Sequence, residues 1–569
     1  MDLEELKTTD IWDLYTHGKD FMRMNSVFTD TDRNYRMYSG NQWEGAKIEG
    51  IEQAQYNFIE TIVNYKVSTI NQNLWGINYS SENFENRDFR KTAEETCKLL
   101  NKKAGKVWEK DQMDYKVREI SEDSAVNDEG VMYVDYDDEI QEPKNEILSK
   151  NDIQYGNENS SDIQSQPWII ISRRVPVIEA QEFARKKGLS DEKIKAIVGD
   201  NDCFEEAGKD AKQENDKKCT IVVKMWKENK KIMFSESTKY VIIRENINSG
   251  LSLYPIAHFP WKTRKGSARG EGEVRFLIPN QLELNKTLAR MLLSVKQNAY
   301  PTKVVAIEKI QNPSSINKVG ATVKVNGSNV EDVRKIFTTI APAQMSSDVA
   351  KTISDLISIT RELKNSSDIA TGGVNPTEAS GKAILAVQQA SQQPMTKQLT
   401  GLKMFIEDLA RIWLDMWVTY SQDGMKLEED KTDPETGEEY TELVDIPSSV
   451  LENLKGTVKV DITPKSSFDK YARELSLENF LKAGYFNPQK LGELKVYAKI
   501  LPDDAIAPKQ DILKAIEIEE EEQRKIAQIN AQAQIMQQRA NQFINGDIEQ
   551  QASQIADAQT EISQETPEQ

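Results

Sequence analysis

Between Arg269 and Lys286 the sequence reads RGEGEVRFLIPNQLELNK, a loop with two glycines that runs straight into a long helix. Leu284, Leu288, Met291, Leu292, Val295 and Ala299 recur at spacings of three and four and make one apolar face. Lys286 and Arg290 lie one turn apart on another. Such a helix must bury its apolar stripe against a neighbour, so whatever this chain folds into has to supply one. The segment passes through no catalytic motif. Gly270-Glu271-Gly272 lacks the third glycine and the acidic partner of a dinucleotide fingerprint. Ser380-Gly381-Lys382 is followed by Ala383 where a phosphate-binding loop needs a hydroxyl, and no glycine stands five residues before Gly381. No nucleotide-hydrolysing site is recognisable.

At 569 residues the chain has room for two to four domains with sizeable cores. Its formal charge of -19 argues against a surface that grips nucleic acid all over; it does not exclude a channel through which DNA slides, and it does not separate that case from ordinary soluble proteins, which are often acidic. Cys97, Cys203 and Cys219 have no metal-ligand spacing and read as thiols of a reducing compartment. His17 and His258 are too few and too scattered for a zinc site or a catalytic triad. No metal and no cofactor is expected. The start, MDLEELKTTD, has no apolar core, and no run of about eighteen apolar residues occurs. The expectation is a soluble protein made in a cytoplasm, with no membrane partner.

The first hundred residues read as helical, with Tyr35, Tyr38 and Trp43 grouped around a turn at 39–41 and an amphipathic helix at 56–74. The physical reading of those rings is a small aromatic core around a glycine turn. DSAVNDEGVMYVDYDD ends a helix at Gly130 and enters a strand at 131–136. Asp135, Asp137, Asp138 and Glu139 match no calcium-loop spacing and read as a solvated acidic turn. Residues 141–166 are polar and read as a mobile surface insertion. Strands follow at 168–172, 220–227 and 240–244, with a charged helical insertion at 178–198. From His258 to Lys303 nine Lys or Arg stand against three Glu, a basic zone in an acidic chain.

Tyr300-Pro301 ends the first long helix, short strands are expected at 304–307 and 321–325, and a second helix at 347–365 carries Val349, Ile353, Leu356, Thr360 and Leu363 as its seam. In SSDIATGGVNPTEASGKAIL, Gly372 and Gly373 free the loop, Asn375 caps a helix, Pro376 suits its first position and Glu378 its third. That helix is expected to reach Tyr420. Ile384, Val387, Ser391, Met395, Leu402, Ile406, Leu409, Trp413 and Trp417 form its buried side, and a kink is expected at Pro394. After Gly424 an acidic loop, EEDKTDPETGEEY, precedes strands at 442–446 and 457–463. A helix at 468–483 is capped at Gly484, and helical sequence continues to 518. The Gln-rich end has a heptad-like seam, Ile526, Ile529, Ala533, Met536, Ala540 and Phe543, with helix expected to 545 and disorder beyond 558. Such a sequence either pairs with further copies or stays disordered.

Three of these strings, in this order, carry a resemblance. The YRMYSGNQW cluster, the helix-glycine-strand passage at 123–138, and the glycine turn leading to a helix with Gln281 and Asn285 in a Gln-x-x-x-Asn pattern resemble the portal proteins of tailed phages. The likeness is greatest to those of short-tailed phages. The resemblance implies an α+β, mainly helical subunit with wing, stem, clip and helical crown, assembling into a ring. The implied divisions are a wing at 1–275, a first stem helix at 276–299, a clip at 300–346 and a second stem helix at 347–365. A tunnel loop at 366–378, a long kinked helix with wing strands at 379–465, a crown at 466–518 and a helical barrel or disordered tail at 519–569 complete the chain.

It further implies that Lys286, Arg290, Lys364, Ser366, Ser367, Thr371, Gly372, Gly373 and Asn375 line a DNA channel without reading bases. By the residues alone, Lys286 and Arg290 could equally solvate a surface, and 366–377 could be an ordinary connection between helices. The implied partners are eleven further copies, double-stranded DNA, terminase, major capsid and scaffolding proteins, and head-tail adaptor proteins. The implied place is one vertex of the virion, after assembly in host cytoplasm, and the implied role is not enzymatic. A non-channel virion scaffold or adaptor is the alternative, separated by whether the particle has a central hole. A nuclease using Asp135 and a metal is the remaining class.

Overall fold

The structure is a computed structural model that describes residues 7–43, 55–81, 87–137, 140–200, 218–300, 302–316, 322–326, 336–340, 348–364, 393–421, 424–432, 439–455, 458–466, 491–500 and 515–537, with a few single positions such as Ser366. It separates into two units, Met1–Pro464 and Lys465–Gln569. In the first, α1 (Asp10–Met24), α2 (Val27–Ser39), α3 (Phe58–Ile70), β1 (Asn73–Ser81), α4 (Arg87–Lys110) and α5 (Met113–Asn127) precede β2 (Glu129–Asp137), β3 (Glu142–Leu148), β4 (Ile153–Tyr155) and β5 (Trp168–Pro176). Next come α6 (Val177–Lys186), α7 (Asp191–Lys195), β6 (Lys218–Glu228), β7 (Lys231–Ser237), β8 (Ile242–Asn248) and β9 (Ile256–Pro260). The helix α8 (Val274–Ala299), strands β10 (Thr302–Val305) and β11 (Phe337–Ile340) and helix α9 (Asp348–Leu363) form an arm. The unit closes with α10 (Thr396–Tyr420), β12 (Met425–Thr432), β13 (Glu439–Ile446), α11 (Ser448–Lys455) and most of β14 (Val458–Ser466). The fold is α+β and mainly helical, with several small sheets.

Two antiparallel sheets organise the body. One has the order β3-β2-β9, with Val131 opposite both Leu148 and His258. The other is a five-stranded sheet, β4-β5-β6-β7-β8, in which Trp168 stands opposite Trp226. Thr9 caps α1 by accepting from the Trp12 N–H, and Ile11, Trp12 and Tyr15 then pack on Ile170 and Val222 of the larger sheet.

The middle of the body is threaded by α10. Its buried stripe, Leu402, Phe405, Ile406, Leu409, Trp413 and Trp417, is the one its spacing predicts. Edge-on aromatic contacts extend it, Trp108 to Trp413 at 6.4 Å and Tyr79 to Trp417 at 6.3 Å. Polar groups fix its register. Trp413 donates to Asn145, and Asp415 accepts from the Ser252 and Leu253 N–H groups.

Several sequence expectations change here. Residues 141–166 are a structural part of the body, not a mobile insertion. Asn145, Gln154 and Gln166 are buried and satisfy polar partners: Gln154 donates to the Tyr15 carbonyl, and Gln166 bonds Asn157 and Ser160. α5 ends before Gly130, and the left-handed turn is made by Asp128 at φ 79°. Gly130 is instead the second residue of β2, where a Cβ would stand 2.5 Å from the Ile120 carbonyl oxygen. Much of the acidic stretch 428–440 is strand, because β12 and β13 pair from Met425–Ile446 to Thr432–Glu439. Residues 73–81, inside the supposedly all-helical start, form β1.

The strand expected at 304–307 is β10, paired with β11 from Thr302–Ile340 to Val305–Phe337. Of the strand expected at 321–325, Val325 makes a single bridge to Ile310. Pro394 lies in a 3₁₀ turn, Gln393–Met395, that leads into α10, so the described helix starts after the proline and is not kinked by it. The earlier part of that expected helix, 375–392, lies outside the described residues, as does most of 468–484. In the second unit, α12 (Leu491–Ile500) is tied to a helix at 515–537 through Lys495, which pairs with Glu517 and Glu520. Ile518, Ile526, Ile529 and Met536 stand exposed on that helix. Residues 538–554 and those after 556 lie outside the described residues.

Gly130→Ala is expected to cost about 2–4 kcal/mol, since backbone on both sides must shift. Gly105→Ala, with nothing within 4 Å of the new methyl in α4, is expected to be neutral or to stabilise by up to about 1 kcal/mol. Denaturant melts of the two variants check the contrast; equal stabilities would refute the close approach.

Candidate functional site at the root of the helical arm

The loop 269–273 that opens α8 lies against the end of α5. Arg269 enters the body and donates from Nη1 to Glu129 at 2.6 Å, and from Nη2 to the Ile153 carbonyl at 3.0 Å and to Glu158 at 3.2 Å. Glu129 is fully buried and its second oxygen meets His258 Nε2 at 2.9 Å. The Tyr155 ring lies 5.1 Å below the guanidinium. Burial opposes the Glu129 charge, but Arg269, His258 and Lys150 outweigh it and hold the carboxyl at about 2.

Both glycines of the loop are there for closeness. A Cβ on Gly270 would stand 2.4 Å from the Asp128 carbonyl oxygen, and one on Gly272 2.8 Å from that of Ala125. The Gly272 N–H donates to Asp128 Oδ1 at 2.6 Å, and the Glu273 N–H to the Ala125 carbonyl at 2.7 Å. Glu273, the N-cap of α8, then turns its buried carboxylate to Lys66 of α3, to Lys262 and to Lys364 at the end of α9. Burial raises its pKa, and the three lysines together bring it down to about 2.

About two turns further on, a chain of amides repeats the attachment. Gln281 accepts from the Phe58 N–H and donates to the Tyr56 carbonyl and to Asn285, and Asn285 donates to Gln42 at 2.6 Å. Gln42 continues to the Met37 carbonyl and to Asn57. The Gln-Trp cluster is thus organised by Gln42, which is buried, whereas Tyr35 is exposed and the expected aromatic core around the turn is not formed about it.

Beyond this root α8 leaves the body. Leu284 and Leu288 are buried, but Val295 is 56% exposed. The pairing of β10 with β11 turns the chain back, and α9 returns beside α8 with Asn280 donating to Thr360 at 3.0 Å. Thr360 is buried, while Leu363, expected in the seam, is exposed.

The sequence-selected residues fall in three groups. Lys286 and Arg290 are exposed on α8, with Arg290 3.9 Å from Glu283. Lys364 is 2.8 Å from Glu273, and Ser366 is buried with its hydroxyl donating to the Arg361 carbonyl. Ser367, Thr371, Gly372, Gly373 and Asn375 lie outside the described residues. The basic zone is partly internal, since Arg269 and Lys262 serve buried glutamates. Sequence reasoning missed Glu129, Lys66, Gln42 and His258 as members of this root. Its signal for Gln281 and Asn285 was their spacing, which puts both on one side of the helix.

Among the described residues no group of three or more His, Cys, Asp or Glu is placed to hold a metal ion, and no helix is long and apolar enough to cross a membrane. The site is a structural joint that sets how a long two-helix arm leaves an α+β body. A model of the phage P22-like portal protein family matches residues 146–568, well over half of the chain, and the chain belongs to that family. It is therefore a portal protein of a tailed phage, a structural part of the virion. The match leaves out the first 145 residues, so the part played by Gln42 rests on the geometry alone. No curated protein matches the chain.

Stability is expected to hold from neutral pH down to about 4.5 and to fall as the pH drops from there towards 2. Glu129 and Glu273 are depressed to about 2 when folded, so their contribution is present above the ordinary glutamate value and is lost on acidification through the folded one. Thermal melts across that range check it. A profile flat to pH 2, or a main loss already above pH 5, would contradict the joint.

Proposed function

We propose that identical subunits, twelve by family resemblance, close head to tail into a ring at one capsid vertex, around a channel for double-stranded DNA during packaging and ejection. In this reading the body is the wing, α8 and α9 are the stem, the β10–β11 module is the clip and 366–378 is the loop nearest DNA. The clip serves as the docking end, first for terminase and later for head-tail adaptor proteins. The helix at 515–537 belongs to a crown or barrel that forms when copies meet. The subunit passes DNA without hydrolysing nucleotide.

The observation that carries the reading is the arm. Its far part holds Val295, Tyr300, Val304, Ile307 and Ile340 exposed, with Tyr300 at 81%, and Ile359 and Leu363 are exposed where α9 returns to the root. One chain leaves this apolar surface in water, and a helical pair rooted by buried charges holds it in a defined place. Copies set side by side would cover it. The exposed seam of 515–537 has the same character.

Negative-stain electron microscopy with mass determination is expected to show rings with an axial hole wide enough for a duplex. Val304→Asp with Ile307→Asp is expected to shift the mass towards single subunits while leaving the melting temperature within a few degrees. Compact particles without a hole would instead favour a non-channel scaffold. Deleting residues 370–374 is expected to leave rings intact and lower packaging or DNA retention in particles; normal DNA-filled particles would remove the proposed role of that loop.

A further inference from the structure

Glu273 is one carboxylate shared by three ammonium groups. Lys66 and Lys364 stand 3.0 and 2.8 Å from its Oε1, and Lys262 stands 3.2 Å from its Oε2, where the Trp261 N–H also points at 3.3 Å. Among the described residues, three positive charges against one negative leave a formal excess of two. The lysine side chains are only 7%, 19% and 36% exposed for Lys66, Lys364 and Lys262. An excess of like charge in a place largely withdrawn from water is costly unless an anion joins it. Burial pushes the Lys66 ammonium below its ordinary value, and the two neighbouring lysines push the same way against the pull of Glu273. The open side is marked by Phe276, 44% exposed, whose ring has Lys364 at 5.1 Å and Lys262 at 5.4 Å.

We infer that Lys262 and Lys364, backed by Lys66, form an anion seat that takes a phosphate group, with Glu273 as its resident counter-charge. Lysines suit this ligand because each ammonium is a compact point charge with three donors, and a phosphate offers several oxygens to share among them. The exchange is electrostatically balanced. When the phosphate takes Lys262 and Lys364, Glu273 keeps Lys66, so no buried carboxylate is left alone. Lys364 ends α9, and Ser366, which caps that end through Arg361, opens the segment proposed to lie nearest DNA. The phosphate can belong to a DNA backbone, in which case the inference rests on the channel reading above, or to free phosphate, in which case it does not.

The test uses the full chain and two probes, inorganic phosphate and a short blunt duplex, each against chloride at matched ionic strength. The wild type is expected to bind phosphate saturably and to melt higher with it than with chloride. Lys262→Met with Lys364→Met is expected to weaken phosphate binding by about tenfold or more. In chloride it should lose only the share of the Glu273 stabilisation that those two lysines supply, and the extra rise in melting temperature that phosphate gives the wild type over chloride should vanish. A purely structural ion-pair cluster would show no such extra rise in the wild type, and that outcome overturns the seat. Lys262→Arg with Lys364→Arg should keep the response within about twofold, and Lys193→Met, on α7, should not change it. If the methionine pair fails to fold, the single Lys364→Gln must still weaken phosphate binding. Phosphate acting no differently from chloride, or the same affinity in wild type and variant, overturns the inference. Loss of both duplex and phosphate binding in the variant assigns the seat to DNA backbone, and loss of phosphate binding alone assigns it to free phosphate. Rings without phosphate binding would refute the seat and leave the portal reading standing; phosphate binding without rings would do the reverse.

Discussion

The point at which the arm leaves the body depends on the buried pair Arg269–Glu129. Removing both charges from water is expensive, and the pair is tolerable because both terminal nitrogens of the guanidinium and both carboxylate oxygens find partners. Glu129 has His258 on its other oxygen, and the guanidinium reaches the Ile153 carbonyl and Glu158 while resting on Tyr155. Such an arrangement adds little net stability compared with a packed apolar core. What it gives is exclusivity: a guanidinium with a fixed fork of donors accepts one orientation, and five residues later the chain is already in α8.

The amide chain from Gln281 through Asn285 to Gln42 performs the same service at a second level of α8. Two attachments along one helix fix its angle as well as its starting point, which one attachment cannot. Apolar packing by Leu284 and Leu288 lies beside these contacts and supplies the burial, but it would tolerate a helix sliding or rolling by a fraction of a turn. Buried amides do not tolerate that, since each displaced donor or acceptor would be left without a partner. Rigidity at the root and apolar exposure at the tip are then two parts of one arrangement. In the ring proposed above, a surface that meets identical neighbours would have to be presented at the same angle by every copy.

The long helices were legible because periodicity at three and four residues is a local property. The spacing of Leu402 to Trp417 and of Leu284 and Leu288 is enough to place α10 and the near half of α8. The polar joint was not legible, because its members come from α3, α5, β2, β9 and two loops, and nothing in the local sequence around Glu129 or Lys66 says that it will be buried. The glycines of 269–273 illustrate the limit. Their chemistry as a phosphate cradle could be excluded from spacing, but their reason is the approach of the α5 terminus, which only the tertiary fold shows. Residues 141–166 misled for the opposite cause. Composition rich in Asn, Gln and Ser is the mark of exposed loops on average, yet here Asn145, Gln154 and Gln166 are the acceptors and donors that make an irregular stretch buriable.

The placement of positive charge in a chain of net charge -19 follows from the same accounting of partners. Lys66, Lys150, Lys262, Lys364 and Arg269 converge on the joint, where they meet Asp128, Glu129, Glu158 and Glu273. Five bases are drawn inward against four acids, so the chain's negative charge stays almost wholly outside the joint. In the channel proposed above, an acidic wall would repel DNA and let it slide, while contacts that hold phosphate would have to be few and local. Around Glu129 the acids and bases nearly balance, and the cluster is purely structural. Around Glu273 they do not balance, and the imbalance lies at the junction between the fixed root and the segment that follows Ser366. Among the described residues of the root, that difference sets the Glu273 cluster apart from the Glu129 cluster, and it is the ground on which the anion seat is proposed.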